Sequence, residues 1–123
     1  MLALMLLTGC AEVNLTPDTL PCTNWDLSVR DAPELSAAQD GDAMVVTRNG
    51  IFEDCDAQFD PDFQNERKLL RVFESWLGSE GNECQCHMAQ LRVNPAARGT
   101  WEIQWYDESS DSEPVDVIEF DVD

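Results

Sequence analysis

Residues 60–78, DPDFQNERKLLRVFESWLG, are the stretch that decides the expected fold class. Asp60 can cap the start of a helix, Pro61 suits its first position, and Gly78 follows as a C-terminal stop. Between these signals, apolar side chains recur at helical spacing: Phe63, Leu69, Leu70, Phe73, Trp76 and Leu77. This pattern predicts one helix over about residues 61–77.

Alternating apolar and polar residues predict β-strands on both sides of this helix. The alternating segments are 25–29, 44–47, 84–93, 101–105 and 115–122. Asn49-Gly50 predicts a tight hairpin turn, because both residues tolerate positive φ, and such a turn would place Cys55 opposite Met44. Together these elements predict an α+β fold, an antiparallel sheet of about five to six strands with the helix packed on one face.

The charge balance excludes several classes of function. Seven Lys and Arg against 25 Asp and Glu give a formal charge of −18 in a chain of 123 residues. So few cations cannot form a patch that neutralises nucleic-acid phosphates, so no nucleic-acid partner is expected. No glycine-rich phosphate loop is present, and His87 is the chain's only histidine. We therefore expect no cofactor, no catalytic residues and no enzymatic activity.

The first ten residues carry a targeting signal. A short apolar run, residues 2–7, is followed by Thr8-Gly9-Cys10. Leu7-Thr8-Gly9-Cys10 resembles the lipobox of bacterial lipoproteins, in which the chain is cut before the cysteine and that cysteine is acylated. The resemblance implies lipidation of Cys10 and removal of residues 1–9 as a signal peptide. A signal peptide normally opens with Lys or Arg, and this one has neither, which indicates a signal truncated at its start.

The lipobox divides the chain into three parts. Residues 1–9 are the signal peptide, residues 10–21 are predicted to be a lipidated tether, and residues 22–123 form a single α+β domain. The predicted location is the bacterial envelope, with the domain in the periplasm or at the cell surface. Membrane contact would be made by the lipid anchor. Ala11 follows the cysteine where Asp favours retention in the inner membrane, so the outer membrane is the expected one.

The other four cysteines fit an exported protein. Cys22, Cys55, Cys84 and Cys86 are predicted to form two disulfides. Cys84 and Cys86 would share one face of a strand at about 6.6 Å, which suits a mutual bridge poorly, so each should pair with Cys22 or Cys55. Which pairs with which stays open. The alternative is a thiolate metal site with His87, but on a strand this histidine faces away from both neighbouring cysteines.

An acidic segment near the C-terminus suggests calcium as an alternative ligand. Asp107, Asp111 and Glu113 follow the spacing of an EF-hand-like loop. The loop lacks the glycine at its sixth position, where Ser112 stands, and Ile118 replaces the bidentate Glu at its twelfth. No specific metal site is therefore predicted, and these three residues are only candidate calcium ligands.

These features predict a lipid-anchored, non-catalytic envelope protein whose acidic surface binds a protein partner, with its charge attracting basic partners. The alternative prediction is a calcium-binding or other cation-binding surface lipoprotein.

Overall fold

The computed structural model describes residues 13–22, 33–78, 85–108 and 112–123. Within these ranges the chain is all β and contains ten strands. They are β1 (Asn14–Pro21), β2 (Glu34–Asp40), β3 (Ala43–Glu53), β4 (Gln58–Phe59), β5 (Asp62–Glu66), β6 (Leu69–Phe73), β7 (Trp76–Leu77), β8 (Gln85–Asn94), β9 (Gly99–Tyr106) and β10 (Asp116–Val122).

The strands form two four-stranded sheets and a small third sheet. The first sheet has the order β1-β8-β3-β2 and is antiparallel throughout. The second sheet has the order β10-β9-β6-β5, and its central pair, β6 and β9, is parallel. The small sheet pairs β4 with β7. The core lies between the inward faces of the two large sheets, the arrangement of a β-sandwich.

The alternation of apolar and polar residues accounts for the part of the core that β8 and β9 form. The predicted strands over 84–93 and 101–105 correspond to β8 and β9, and their apolar positions are buried as expected. His87 is buried with them at 4% exposure. The residues that these two strands contribute to the core cluster are Ala89, Leu91, Val93, Trp101, Ile103 and Trp105.

The predicted helix over residues 61–77 is wrong, and the α+β fold class is wrong with it. This segment forms β5, β6 and β7, and the described residues contain no helix. Leu70 and Val72 point into the core beside Ile103 and Trp105 of β9, while Leu69 and Phe73 lie on the opposite face. Because this segment packs between two sheets, its buried residues follow the period of two that is typical of a strand. The helical period that the same apolar residues suggested is not used.

The predicted hairpin at Asn49-Gly50 is also wrong. β3 runs through both residues, and its register with β8 shifts between Asn49 and Ile51. Gly50 has φ 97° at this bulge, so its conformational freedom is used within a strand. The turn that reverses the chain lies earlier, where Asp40 pairs with Ala43 across Gly41, whose φ is 60°. Met44 therefore pairs with Val93 instead of Cys55.

The segment predicted as a tether, residues 10–21, contains a strand of the fold. β1 pairs with β8 over its whole length, from Asn14 opposite Asn94 to Pro21 opposite His87. Any tether after Cys10 is therefore shorter than expected, since Asn14 is four residues along the chain. The predicted signal peptide, residues 1–9, and the predicted strand over 25–29 lie outside the described residues.

A disulfide fastens β1 to the first sheet. Cys22 follows β1 and is bonded to Cys86 of β8, with 5.5 Å between the Cα atoms. This bridge is one of the pairings that the sequence left open. It closes a sequence separation of 64 residues, and the chain-entropy model assigns such a loop about 4 kcal/mol of stabilisation. Cys55 is also disulfide-bonded, and its partner lies outside the described residues.

Candidate functional site

The outward face of the second sheet carries the side chains most suited to binding. Alternate residues of β5, β6, β9 and β10 point away from the core, and the register brings them into rows across the sheet. We call this surface the acidic face. Its carboxylates are Asp62, Glu66, Glu102, Glu119 and Asp121.

One end of the acidic face is apolar and aromatic. Phe73 and Tyr106 stack with ring centroids 4.7 Å apart. The Val115 N–H donates to the Trp105 carbonyl at 2.8 Å, which continues the β9–β10 register and sets Val115 beside Tyr106. Val115 is 43% exposed and Val117 is 48% exposed. Solvent therefore reaches a patch of two valines next to a stacked ring pair.

The middle of the acidic face concentrates negative charge. Glu102 and Glu119 lie directly opposite each other on β9 and β10. Like charges in this position destabilise a sheet, and the neighbour of Glu102 on the other side is the apolar Leu69. In the described part of this face the cation is Arg71, whose guanidinium donates to the amide oxygens of Gln104 and Gln64 at 3.1 and 3.4 Å. Its positive charge is therefore not paired with either glutamate.

Below the aromatic end lies a buried polar cluster. The Glu74 carboxylate accepts from Trp105 Nε1 on one oxygen and from Trp76 Nε1 on the other, both at 2.9 Å. Burial raises the pKa of Glu74 above its usual value, although both hydrogen bonds and Arg48 act in the opposite direction. Arg48, itself 6% exposed, sits 5.9 Å from the Trp105 ring centroid, and its Nε and Nη1 have no hydrogen-bond partner among the described atoms.

The remaining candidates from the sequence are His87 and the possible metal ligands. His87 Nε2 lies 2.8 Å from the Asp54 carbonyl, and its ring is 5.4 Å from that of Trp76. The described residues contain no group of three or more His, Cys, Asp or Glu side chains placed to hold a metal. Asp107 and Glu113 are described, but Asp111 lies outside the described residues, so the calcium hypothesis stays a prediction. Cys10 and Cys84 also lie outside them.

Sequence reasoning missed the acidic face because it assigned the strand β6 to a helix. With that assignment, Phe73 was expected to pack inward, and no argument placed it beside Tyr106. The alternation of Glu102, Gln104 and Tyr106 with buried residues was visible in the sequence and marks one row of this surface.

The chain matches no protein-family model, no curated protein and no solved structure. No helix with the length and hydropathy to cross a bilayer occurs in the described ranges.

Proposed function

We propose that this protein is a lipid-anchored, non-catalytic protein of the bacterial envelope that binds a basic protein partner on its acidic face. The observation that carries the proposal is the arrangement of that face. Exposed valines and a stacked aromatic pair lie at one end, and rows of carboxylates continue from them.

The composition of the acidic face suits a protein partner. Protein interfaces combine an apolar, aromatic centre with a polar rim. Val117 and Tyr106 supply the first property, and Glu102 and Glu119 supply the second. Lys or Arg side chains of a partner would relieve the repulsion between these opposed glutamates, so binding gains from a contact that the free protein lacks. The net charge of −18 would also steer such a partner towards the domain.

The titratable groups of the core support a non-catalytic role. Glu74 has the raised pKa that a general acid needs, yet both of its oxygens are engaged by tryptophan N–H groups. His87 is 4% exposed and hydrogen-bonded to backbone. Both side chains therefore have structural partners, and neither combines an accessible proton with a neighbouring nucleophile.

The lipid anchor rests on the lipobox-like sequence that ends at Cys10. The start of β1 at Asn14 adds a physical consequence. A chain of four residues spans at most about 14 Å, so an acylated Cys10 would hold the sandwich close to the membrane surface.

A photocrosslinker at position 117 tests the binding proposal in the native envelope. We expect the full-length protein carrying p-benzoylphenylalanine in place of Val117 to give one discrete protein adduct. Substituting Glu102→Lys and Glu119→Lys in the same protein should abolish it, because a basic partner is then repelled. The matched control places the crosslinker at Ala38, which is exposed on the edge strand β2 of the first sheet. Equal adducts at both positions, or an adduct that survives both lysines, would refute this use of the acidic face.

A further inference from the structure

A cleft opens at the end of the sandwich where β1 begins. Its volume is about 460 Å³. Apolar walls are formed by Val13, Pro95, Ala97 and Trp101, and the cations Arg67 and Lys68 lie at its rim. Lys68 crosses over Gly99, because its Nζ is 2.8 Å from the point where a Cβ on that glycine would stand. We call this end of the fold the cationic corner.

The cationic corner concentrates positive charge in an otherwise acidic protein. Arg67, Lys68 and Arg98 account for three of the seven cations in the chain, and Arg98 lies between two residues of the corner, Ala97 and Gly99. In the described ranges none of these three side chains has an ion pair or a hydrogen bond. Arg92, by contrast, pairs with Asp40 at 2.9 Å. The three cations are therefore not paired with a carboxylate of the described residues, although the acidic face adjoins them: Glu66 precedes Arg67, and the Glu102 N–H donates to the Lys68 carbonyl at 2.9 Å.

The turn in the cationic corner has backbone angles that destabilise the fold. Arg67 and Lys68 form the two-residue turn between β5 and β6, with φ angles of 50° and 65°. Asn-Gly is the preferred pair for such a turn, because other side chains resist positive φ. Two long cationic residues thus occupy positions where a turn alone would favour Asn and Gly. Residues with such backbone angles cluster at functional sites.

The predicted anchor leaves the fold at the same corner. Val13, which lines the cleft, is three residues after Cys10. That length of chain spans at most about 11 Å. Lipids attached at Cys10 would therefore hold the cationic corner, more than any other part of the described fold, next to the phosphate headgroups. Asp123 lies at the same end but on the side of β2, where its N–H donates to the Gln39 side chain at 2.9 Å.

We propose that the cationic corner docks on anionic phospholipid headgroups and orients the anchored domain on the membrane. The inference rests on the proposed lipid anchor. Arg67, Lys68 and Arg98 contact the headgroup phosphates, while the apolar walls of the cleft face the adjoining interface. The large negative charge of the chain assists this orientation, because the membrane repels the surfaces that are rich in carboxylates. Screening over about 10 Å confines the attraction to the groups nearest the bilayer.

Lys68 provides a direct readout because it is the only lysine in the chain. The lipidated protein is reconstituted in vesicles of phosphatidylcholine alone or with 30% phosphatidylglycerol, and Lys68 is acetylated with a water-soluble amine reagent and followed by mass spectrometry. We expect acetylation to be several-fold slower on the anionic vesicles. Each basic residue at an anionic surface contributes about fivefold to docking, so Arg67→Asn with Arg98→Gln should weaken it about 30-fold and remove the protection.

A control variant moves the reporting amine to the opposite end of the fold. Lys68→Arg with Gln85→Lys keeps the three cations of the corner and places the lysine at the exposed start of β8, about 30 Å along the strand from Asn94, where acetylation should proceed equally on both vesicles. Equal acetylation of Lys68 on the two vesicles, with the protein bound to both, overturns the proposal. Protection of the unlipidated domain by inorganic phosphate alone also overturns it, since the corner would then be a small-anion site. A protein that binds neither vesicle refutes the anchor instead.

Discussion

Substituting Glu74→Gln should destabilise the fold, although the two side chains have the same shape. Separate carboxylate oxygens accept the Trp105 and Trp76 N–H groups. A glutamine has one carbonyl oxygen, so its NH2 group must face one of the tryptophan donors. The variant loses one hydrogen bond and leaves buried donors unpaired, which together cost about 2–3 kcal/mol. A chain of this size should then unfold about 10 °C lower.

Two further properties distinguish this mechanism from a general packing defect. The pKa of Glu74 is raised by burial, so the folded protein holds the proton more tightly than the unfolded chain does. The contribution of Glu74 to the free energy of unfolding therefore falls as pH rises from about 4.5 through the folded pKa, and the cost of Glu74→Gln should shrink over that window. Glu74 and Arg48 should also be coupled, by about 1 kcal/mol or more, in a double-mutant cycle with Arg48→Met.

Urea unfolding followed by tryptophan fluorescence measures all of these quantities, since two of the indoles contact Glu74 directly. Glu119→Gln is the matched control, because it removes the same charge from the exposed surface and should change stability by no more than about 0.5 kcal/mol. If both variants unfold at the same urea concentration, the assignment of Glu74 as a buried acceptor is wrong. A cost of Glu74→Gln that grows as pH rises would instead show that the fold favours the ionised carboxylate, which contradicts the raised pKa.

The remaining predictions concern the anchor, the disulfides, the turn and calcium. Cys10→Ala should move the protein from the membrane fraction to the soluble exported fraction; a wild-type protein that is already soluble would contradict the lipobox. Non-reducing peptide mapping should pair Cys55 with Cys84, because the register Glu53–Gln85 brings their chain segments together, and a free thiol at either would contradict this. Replacing Arg67-Lys68 by Asn-Gly should stabilise the domain by about 1–2 kcal/mol in urea, because both positions have positive φ; an unchanged midpoint contradicts the strain at this turn. Calcium at millimolar concentration should raise Tm no more than magnesium does, and a calcium-specific rise reversed by EDTA would establish a site.

The strands that bury one face were predictable because their pattern is local. From Ala89 in β8 and from Trp101 in β9, every second residue is apolar, and the burial of Ala89, Leu91, Ile103 and Trp105 follows from that alternation. The choice of bridge partners for Cys86 could be narrowed to Cys22 and Cys55 for the same reason, since strand geometry disfavours a link to Cys84. The Cys22–Cys86 bond confirms a pairing that this reasoning had left among its alternatives.

The segment 61–77 was not predictable from local pattern because its signals fit two structures. Pro61 after an aspartate and clustered leucines are typical of a helix start, yet Leu70 and Val72 also alternate as a strand requires. Whether this segment forms a helix or strands depends on a parallel pairing with β9, more than thirty residues further along the chain. No local sequence feature predicts such a partner. Asn49-Gly50 shows the same ambiguity, since the positive φ of Gly50 serves a bulge as well as a turn.

The acidic face and the cationic corner are arranged along the same strand, and this arrangement makes the two proposals compatible. β6 begins next to the turn Arg67-Lys68 and ends at Phe73 in the aromatic patch, a distance of about 17–20 Å at 3.3 Å per residue. This exceeds the screening length of about 10 Å. If the turn lies against anionic headgroups, the aromatic end points away from them, beyond the reach of their charge. A basic partner could then contact Phe73, Tyr106 and Asp62, which pairs with Phe73, without competing for the membrane. Glu102 and Glu119 lie level with Leu69, next to the turn, so a partner must reach them close to the membrane. The reverse orientation would bury the aromatic patch and bring Asp62 against the lipid phosphates.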